Sequence, residues 1–318
     1  MSWQPYYRGD GVARDVRLAP PPPWRTFPRA GQPLRYQPPP GLADAVNAAL
    51  HLRRPLLVTG PAGSGKSGVV DQVAQELGLG EVLRWHITSR STRADALYRY
   101  DALGRIHAQN LRNARSGDGT GDGAGSDDIA PFLQLGPLGT ALLPAEAGRP
   151  RAVLIDEIDK SDLDLPGDLL ELLESGTFEI PELVRYREDA VRVRRWDGAG
   201  THEIVRGRVT CTEFPFIVLT SNGERDFPPA FLRRCIRFEM PRPTRAALAA
   251  VVAAHLERPV GPAEAELVRH FDERLARGEY LAVDQLLNAV ALLTASDGPV
   301  DRQAEELRTL LLRELDRD

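Results

Sequence analysis

The chain has 318 residues, 42% hydrophobic and 27% charged, which is too apolar for a wholly disordered polypeptide and long enough for two domains of roughly 100–200 residues. Forty basic side chains against 45 acidic ones give a net charge of −5, and the two cysteines, Cys211 and Cys235, have no CxxC partner; this excludes a global basic field for nucleic acid, a disulfide framework and a metal knuckle. Residues 1–20 carry Arg8, Asp10, Arg14, Asp15 and Arg17, and the longest near-apolar stretch is 246–256, so a secretory signal and the roughly 20 apolar residues of a bilayer span are lacking and a cytoplasmic protein is expected.

Residues 1–40 hold ten of the 26 prolines. Proline fixes φ and lacks a backbone donor, so the reading is an extended arm lying over the folded body, with a proline-rich ligand for another protein as the alternative. The spacing of Leu42, Val46, Ala49 and Leu50 predicts a helix over 41–52. Leu56-Leu57-Val58-Thr59 reads as a strand buried on both faces. A helix over 66–77 follows, with Val69, Val70, Val73 and Leu77 on its apolar face and Gly78 as its stop. Further strands are predicted at 82–87, 152–155, 216–220 and 235–238. Strands alternating with helices make a doubly wound parallel α/β sheet.

A βαβ unit takes roughly 30 residues. Lys66 and Asp156 lie 90 positions apart, and Asp156 and Asn222 lie 66 apart, so insertions are expected near 88–150 and 178–212. The first contains SGDGTGDGAGSDD (116–128), in which Asp118, Asp122 and Gly123 fit a calcium loop. Thr120 and Ile129 do not, and a flexible loop is expected instead. The second has alternation at 191–194 and 204–206 around Asp197-Gly198, the pattern of a β-hairpin. From Arg245 onward helices are predicted at 247–256, 263–276, 283–293 and 302–315. The chain thus divides into an arm (1–40), an α/β domain (41–241) and an all-helical domain (242–318).

Gly60-Pro61-Ala62-Gly63-Ser64-Gly65-Lys66-Ser67 matches G-x-x-x-x-G-K-[ST] between a predicted strand and a predicted helix, the context of a P-loop. Its glycines let backbone N–H groups turn inward onto phosphate oxygens, and the helix N-terminus adds the positive end of its dipole. Lys66 is suited to the β- and γ-phosphates of ATP and Ser67 to Mg²⁺. Asp156 and Glu157 end an apolar strand on the same side of the sheet, where Asp156 can hold Mg²⁺ and Glu157 can act as general base on water. Capping of the next helix is the other use of such carboxylates, for which Asp159, Ser161 and Asp162 are better placed. Asn222 ends another buried strand, where it is either a turn residue or a contact to the γ-phosphate and water. Arg233 and Arg234 follow Pro228-Pro229-Ala230-Phe231-Leu232; a surface ion pair is the plain reading, and bidentate contact with a transferring phosphoryl group the functional one.

These elements in this order, followed by helices, resemble the AAA+ ATPases and, in wording, the MoxR-like branch of the helix-two-insert clade. The matching pieces are PLLVTGPAGSGKS (55–67), LIDEIDK (154–160), LELLESGTFEIP (170–181) and LTSNGERDFPPAFLRRC (219–235). The resemblance implies a P-loop NTPase core with a helical lid. It makes Gly60–Ser67 Walker A, Asp156 and Glu157 Walker B, Asn222 sensor 1, and Arg234, with Arg233 as its alternative, a finger acting on a neighbouring subunit. It further implies ATP hydrolysis with Mg²⁺, a homo-oligomeric ring, a hexamer, and chaperone-like remodelling of a client or of a partner protein with a von Willebrand A domain. One departure stands out: Tyr280-Leu281-Ala282-Val283-Asp284-Gln285 offers no sensor 2 arginine, so either Arg274 or Arg277 substitutes or lid coupling is weak.

Two other functions remain open on sequence. Arg185, Arg187, Arg192, Arg194, Arg195, Arg206 and Arg208 outnumber Glu188, Asp189, Asp197 and Glu203, which leaves room for a nucleic-acid motor, although a solvated face explains so small an excess. A slowly hydrolysing switch or scaffold is the other. A GTPase is disfavoured by the lack of an NKxD motif.

Overall fold

A computed structural model describes residues 6–25, 36–116, 128–295 and 298–315. The calcium-loop positions Asp118, Thr120, Asp122 and Gly123 lie outside them, as do Pro28 and Pro33 of the arm. The described chain forms two compact units, one of residues 40–60 and 66–239, the other of 1–39, 61–65 and 240–318.

The first unit opens with α1 (Leu42–Leu52), β1 (Leu56–Thr59), α2 (Gly68–Leu77) and β2 (Leu83–His86). There follow α3 (Arg93–Leu97), β3 (Tyr98–Tyr100), α4 (Ala102–Ser116), β4 (Leu133–Leu135), α5 (Pro137–Ala141) and β5 (Ala152–Asp156). Then come α6 (Leu165–Ser175), β6 (Thr177–Glu179), α7 (Pro181–Val184), β7 (Ala190–Arg194), β8 (Thr201–Val205) and β9 (Arg208–Thr210). It closes with β10 (Phe216–Ser221), α8 (Pro229–Leu232) and β11 (Ile236–Glu239).

Five strands form a parallel sheet in the order β11-β1-β10-β5-β2. Leu57, Val153, Ile155, Ile217 and Leu219 are fully buried in it; burial on both faces is why these strands read as unbroken apolar runs. The register pairs Thr59 with Ser221 and His86 with Asp156. The carboxyl ends of β1, β5 and β10 therefore share one edge, the place where open α/β sheets take their ligands.

Residues from both stretches read as insertions pair in a second sheet, β3-β4-β7-β8-β9-β6. The expected hairpin is β7–β8, with Val191 opposite Ile204, closed by an Arg195 N–H to Gly200 carbonyl bond of 3.0 Å. Strands β3, β4, β6 and β9 were not legible, because three residues are too few to show a period of two. Close backbone contact helps to hold this region: a Cβ on Gly139 would stand 1.8 Å from the Leu97 carbonyl oxygen. Gly139→Ala is expected to lower unfolding free energy by about 1–3 kcal/mol, measured by denaturant melts.

The second unit contains α9 (Arg245–Leu256), α10 (Pro262–Ala276), α11 (Val283–Leu293) and α12 (Asp301–Leu311). Leu248, Val252, Phe271, Leu286 and Leu312 are fully buried in its core. α12 stops four residues before its predicted end: the Leu315 N–H instead bonds the Tyr280 carbonyl at 2.9 Å, and the Arg313 carbonyl accepts from Gln285 at 2.7 Å. The described arm residues 6–25 and 36–39 belong to this unit. Trp24 packs against the helical core, donates Nε1–H to Asn288 at 3.3 Å and meets the His255 ring edge-on.

Candidate functional site

The loop 60–67 joins β1 to α2. Gly63 and Gly65 sit at φ +71° and +84°, in the left-handed region that glycine enters without a Cβ penalty. Space demands glycine too, since a Cβ on Gly63 would lie 2.6 Å from that of Ala282 and one on Gly65 3.1 Å from the Tyr36 ring. The predicted helix start at Lys66 moves to Gly68, with Ser67 at the N-cap but without a capping bond. The Ser67 hydroxyl instead donates to Asp156 Oδ1 at 2.8 Å. The Ser64 hydroxyl is buried in the loop without a hydrogen-bond partner.

Lys66 is only 6% exposed. Its Nζ donates to the Gly60 carbonyl and to Asn222 Oδ1, each at 2.8 Å. Burial pushes its pKa down, while the charges of Asp159, Asp156 and Glu157 work in the opposite direction. One lysine thus stands among three carboxylates.

The two acidic residues at the end of β5 are fixed by a residue that sequence reasoning passed over. The Thr220 hydroxyl, on the fully buried β10, donates to Asp156 Oδ1 at 2.6 Å and accepts the Glu157 N–H at 2.9 Å. Its signal in the sequence is a polar residue within an apolar strand. Glu157 adopts φ +60°, ψ +49°, an uncommon conformation for a residue with a Cβ. Its carboxylate receives Lys160 Nζ at 2.9 Å and Asn222 Nδ2 at 3.4 Å; the Lys160 bond raises that lysine's pKa. Asn222 therefore joins Lys66 and Glu157 rather than serving only as a turn residue.

The N-cap of α6 is Asp164, which makes no side-chain capping bond; of the three expected residues, Asp162 comes nearest to that task, its Oδ1 accepting the Leu165 N–H at 2.9 Å. Asp159 does not cap, and the Ser161 hydroxyl donates to the Ile158 and Asp162 carbonyls.

Arg234 and Arg233 follow α8. The Arg234 guanidinium pairs with Glu174 of α6 and donates to the Ala230 carbonyl at 3.2 Å, so its bonds do not go to the residues around Lys66. The Arg233 side chain is exposed, and its carbonyl accepts from Arg54 at 3.1 Å. The Arg274 guanidinium bonds Glu279 and the Leu312 carbonyl within the helical unit. Arg277 is exposed. In the region where an arginine was sought, the Tyr280 hydroxyl accepts the Ala62 N–H at 3.3 Å.

Among the described residues no cluster of three or more His, Cys, Asp or Glu could hold a metal ion. The hard oxygens of Ser67 and Asp156 nevertheless fit Mg²⁺, which takes one or two protein ligands and completes its shell with water and phosphate oxygens. The hairpin arginines are partly neutralised: Arg187 pairs with Glu188, Arg195 with Asp197 and Arg206 with Asp189. Burial pushes the Cys235 thiol up to about 12, which keeps it from acting as a nucleophile. No described helix is long and apolar enough to cross a membrane.

No curated protein matches the chain. Residues 55–235, more than half of the chain, match the model of the AAA domain, dynein-related subfamily. That stretch runs from the residue before β1 to the residue before β11 and takes in Lys66, Asp156, Glu157, Asn222 and Arg234. The chain belongs to the AAA domain family, dynein-related subfamily, a family of nucleotide-binding P-loop proteins that typically act as ATPases.

Proposed function

We propose that this chain is a MoxR-like AAA+ ATPase that hydrolyses ATP to ADP and phosphate and uses the cycle to remodel a partner protein. The observation that carries the proposal is the meeting of Lys66, Asp156, Glu157 and Asn222 at one sheet edge, within hydrogen-bond reach of one another or of Ser67. Backbone amides of the loop 60–67 together with the Lys66 cation bind the triphosphate. Ser67 and Asp156 would hold Mg²⁺, which when bound neutralises charge on the phosphate oxygens. Glu157 takes a proton from the attacking water as general base, and Asn222 orients that water and the terminal phosphate. Lys160, bonded to Glu157, helps to hold the carboxylate in place.

Arg234 is the finger offered to a neighbouring copy in a homo-oligomeric ring, with Arg233 as its alternative. Six copies, and a client or von Willebrand A-type partner, follow from the resemblance alone. The pairing of three hairpin arginines with acidic neighbours supports a solvated face over a nucleic-acid track. Arg234→Ala is expected to leave ATP binding intact and lower turnover by about 10³–10⁵-fold. Mixing Arg234→Ala with Lys66→Ala subunits is expected to restore part of the activity, because interfaces in which the first supplies the loop and the second the arginine are intact, while the reverse interfaces carry both defects. Steady-state phosphate release from such mixtures checks this; no recovery at any ratio refutes action in trans.

A further inference from the structure

Asp159 lies in the turn Ile158–Lys160 after β5, only 4% exposed. Its Oδ2 accepts two backbone N–H groups, from Asn222 at 2.8 Å and Glu224 at 3.2 Å. Its Oδ1 is shielded from solvent and has no hydrogen-bond partner. Burying a carboxylate with an idle oxygen is costly, and helix capping does not account for it, since its bonds go to Asn222 and Glu224 and the first N–H of α6 goes to Asp162. What the two bonds do is clamp the backbone where β10 ends and the chain turns. Asn222 is thereby held so that its side chain reaches Lys66 and Glu157 together.

We infer that Asp159 is a positioning residue for ATP hydrolysis, acting by fixing the backbone of Asn222. The inference rests on the ATPase reading above and adds a residue to it. Small misplacements of a catalytic group are expensive: about 1 Å can cost on the order of 10²-fold in rate. Asp159→Ala should therefore lower kcat about 10- to 100-fold while ATP affinity changes far less, because the loop 60–67 is left whole. Asp159→Asn keeps an oxygen for both N–H groups and should restore most of kcat.

The test is a double-mutant cycle in the full chain, with kcat, ATP affinity by calorimetry, and hydrogen exchange at the Asn222 and Glu224 amides. If Asp159 acts through Asn222, the Asp159→Ala/Asn222→Ala pair loses no more than Asn222→Ala alone. Faster exchange at both amides in Asp159→Ala, with rescue by Asp159→Asn, is the expected companion result. Wild-type kcat in Asp159→Ala, additive losses in the pair, or an Asn variant as impaired as the Ala variant would overturn the inference. Should Asp159→Ala fail to fold, Asp159→Ser, whose hydroxyl is too short to bridge both amides, takes its place in the same cycle. A wild-type chain without turnover would refute the ATPase reading instead. The clamp would then be judged on the exchange rates, with unchanged protection in the variant counting against it.

Discussion

Glu157→Gln should stop turnover while ATP still binds. Glutamine copies the shape of the side chain but has a single oxygen, so it keeps an acceptor for only one of Asn222 and Lys160, which donate to different carboxylate oxygens at 3.4 and 2.9 Å. What it loses is the capacity to take a proton, which is worth about 10²–10⁴ in rate. Phosphate release should fall by that factor, and calorimetry should show an affinity for ATP close to that of the unaltered chain. An assembly held in its ATP-bound state is the expected product, and it should keep any client attached. Ordinary turnover by this variant would remove Glu157 from the chemistry.

Lys66→Ala should fail one step earlier, at binding. The Lys66 cation is 6% exposed and faces the charges of Asp159, Asp156 and Glu157. Removing it deletes the contact to the phosphates and leaves three carboxylates to repel them. Truncating one partner of a buried charged pair costs about 2–5 kcal/mol, which is a loss of affinity on the order of 30-fold to several thousand-fold. Titration of the variant with ATP and Mg²⁺ should give no heat at concentrations that saturate the unaltered chain. A melting curve recorded alongside separates this loss from unfolding, and tight binding by a folded variant would refute the phosphate-binding role.

The parts of the fold that were readable are those where one physical demand fills several adjacent positions. Burial on both faces makes Leu56–Val58, Ala152–Ile155 and Phe216–Leu219 continuously apolar, and the glycines of the loop answer to left-handed φ values and close neighbours. The second sheet was unreadable for the opposite reason. Tyr98–Tyr100 and Leu133–Leu135 are too short to carry a pattern, and their partners lie far along the chain. The site divides in the same way. Lys66, Asp156 and Glu157 belong to local motifs, whereas Thr220 and Asp159 act across gaps of more than 60 positions, through bonds that only the folded sheet creates. Arg274 is the converse case: a basic residue that sequence offers as a substitute, whose guanidinium bonds Glu279 and the Leu312 carbonyl in a way that only the folded helices create.

The backbone of Glu157 says something about priorities in this molecule. A side-chain-bearing residue in that region of φ and ψ gives up on the order of 1–3 kcal/mol relative to an ordinary conformation. Folding alone would favour glycine or asparagine there, as it places glycine at most of the other left-handed positions. A glutamate at that spot costs the native state a little, and under the proposed mechanism the return is the aim of one carboxylate. On the proposed reading of Glu157 as the base, stability is subordinated to chemistry at this residue, which directly follows a strand whose first four residues are buried.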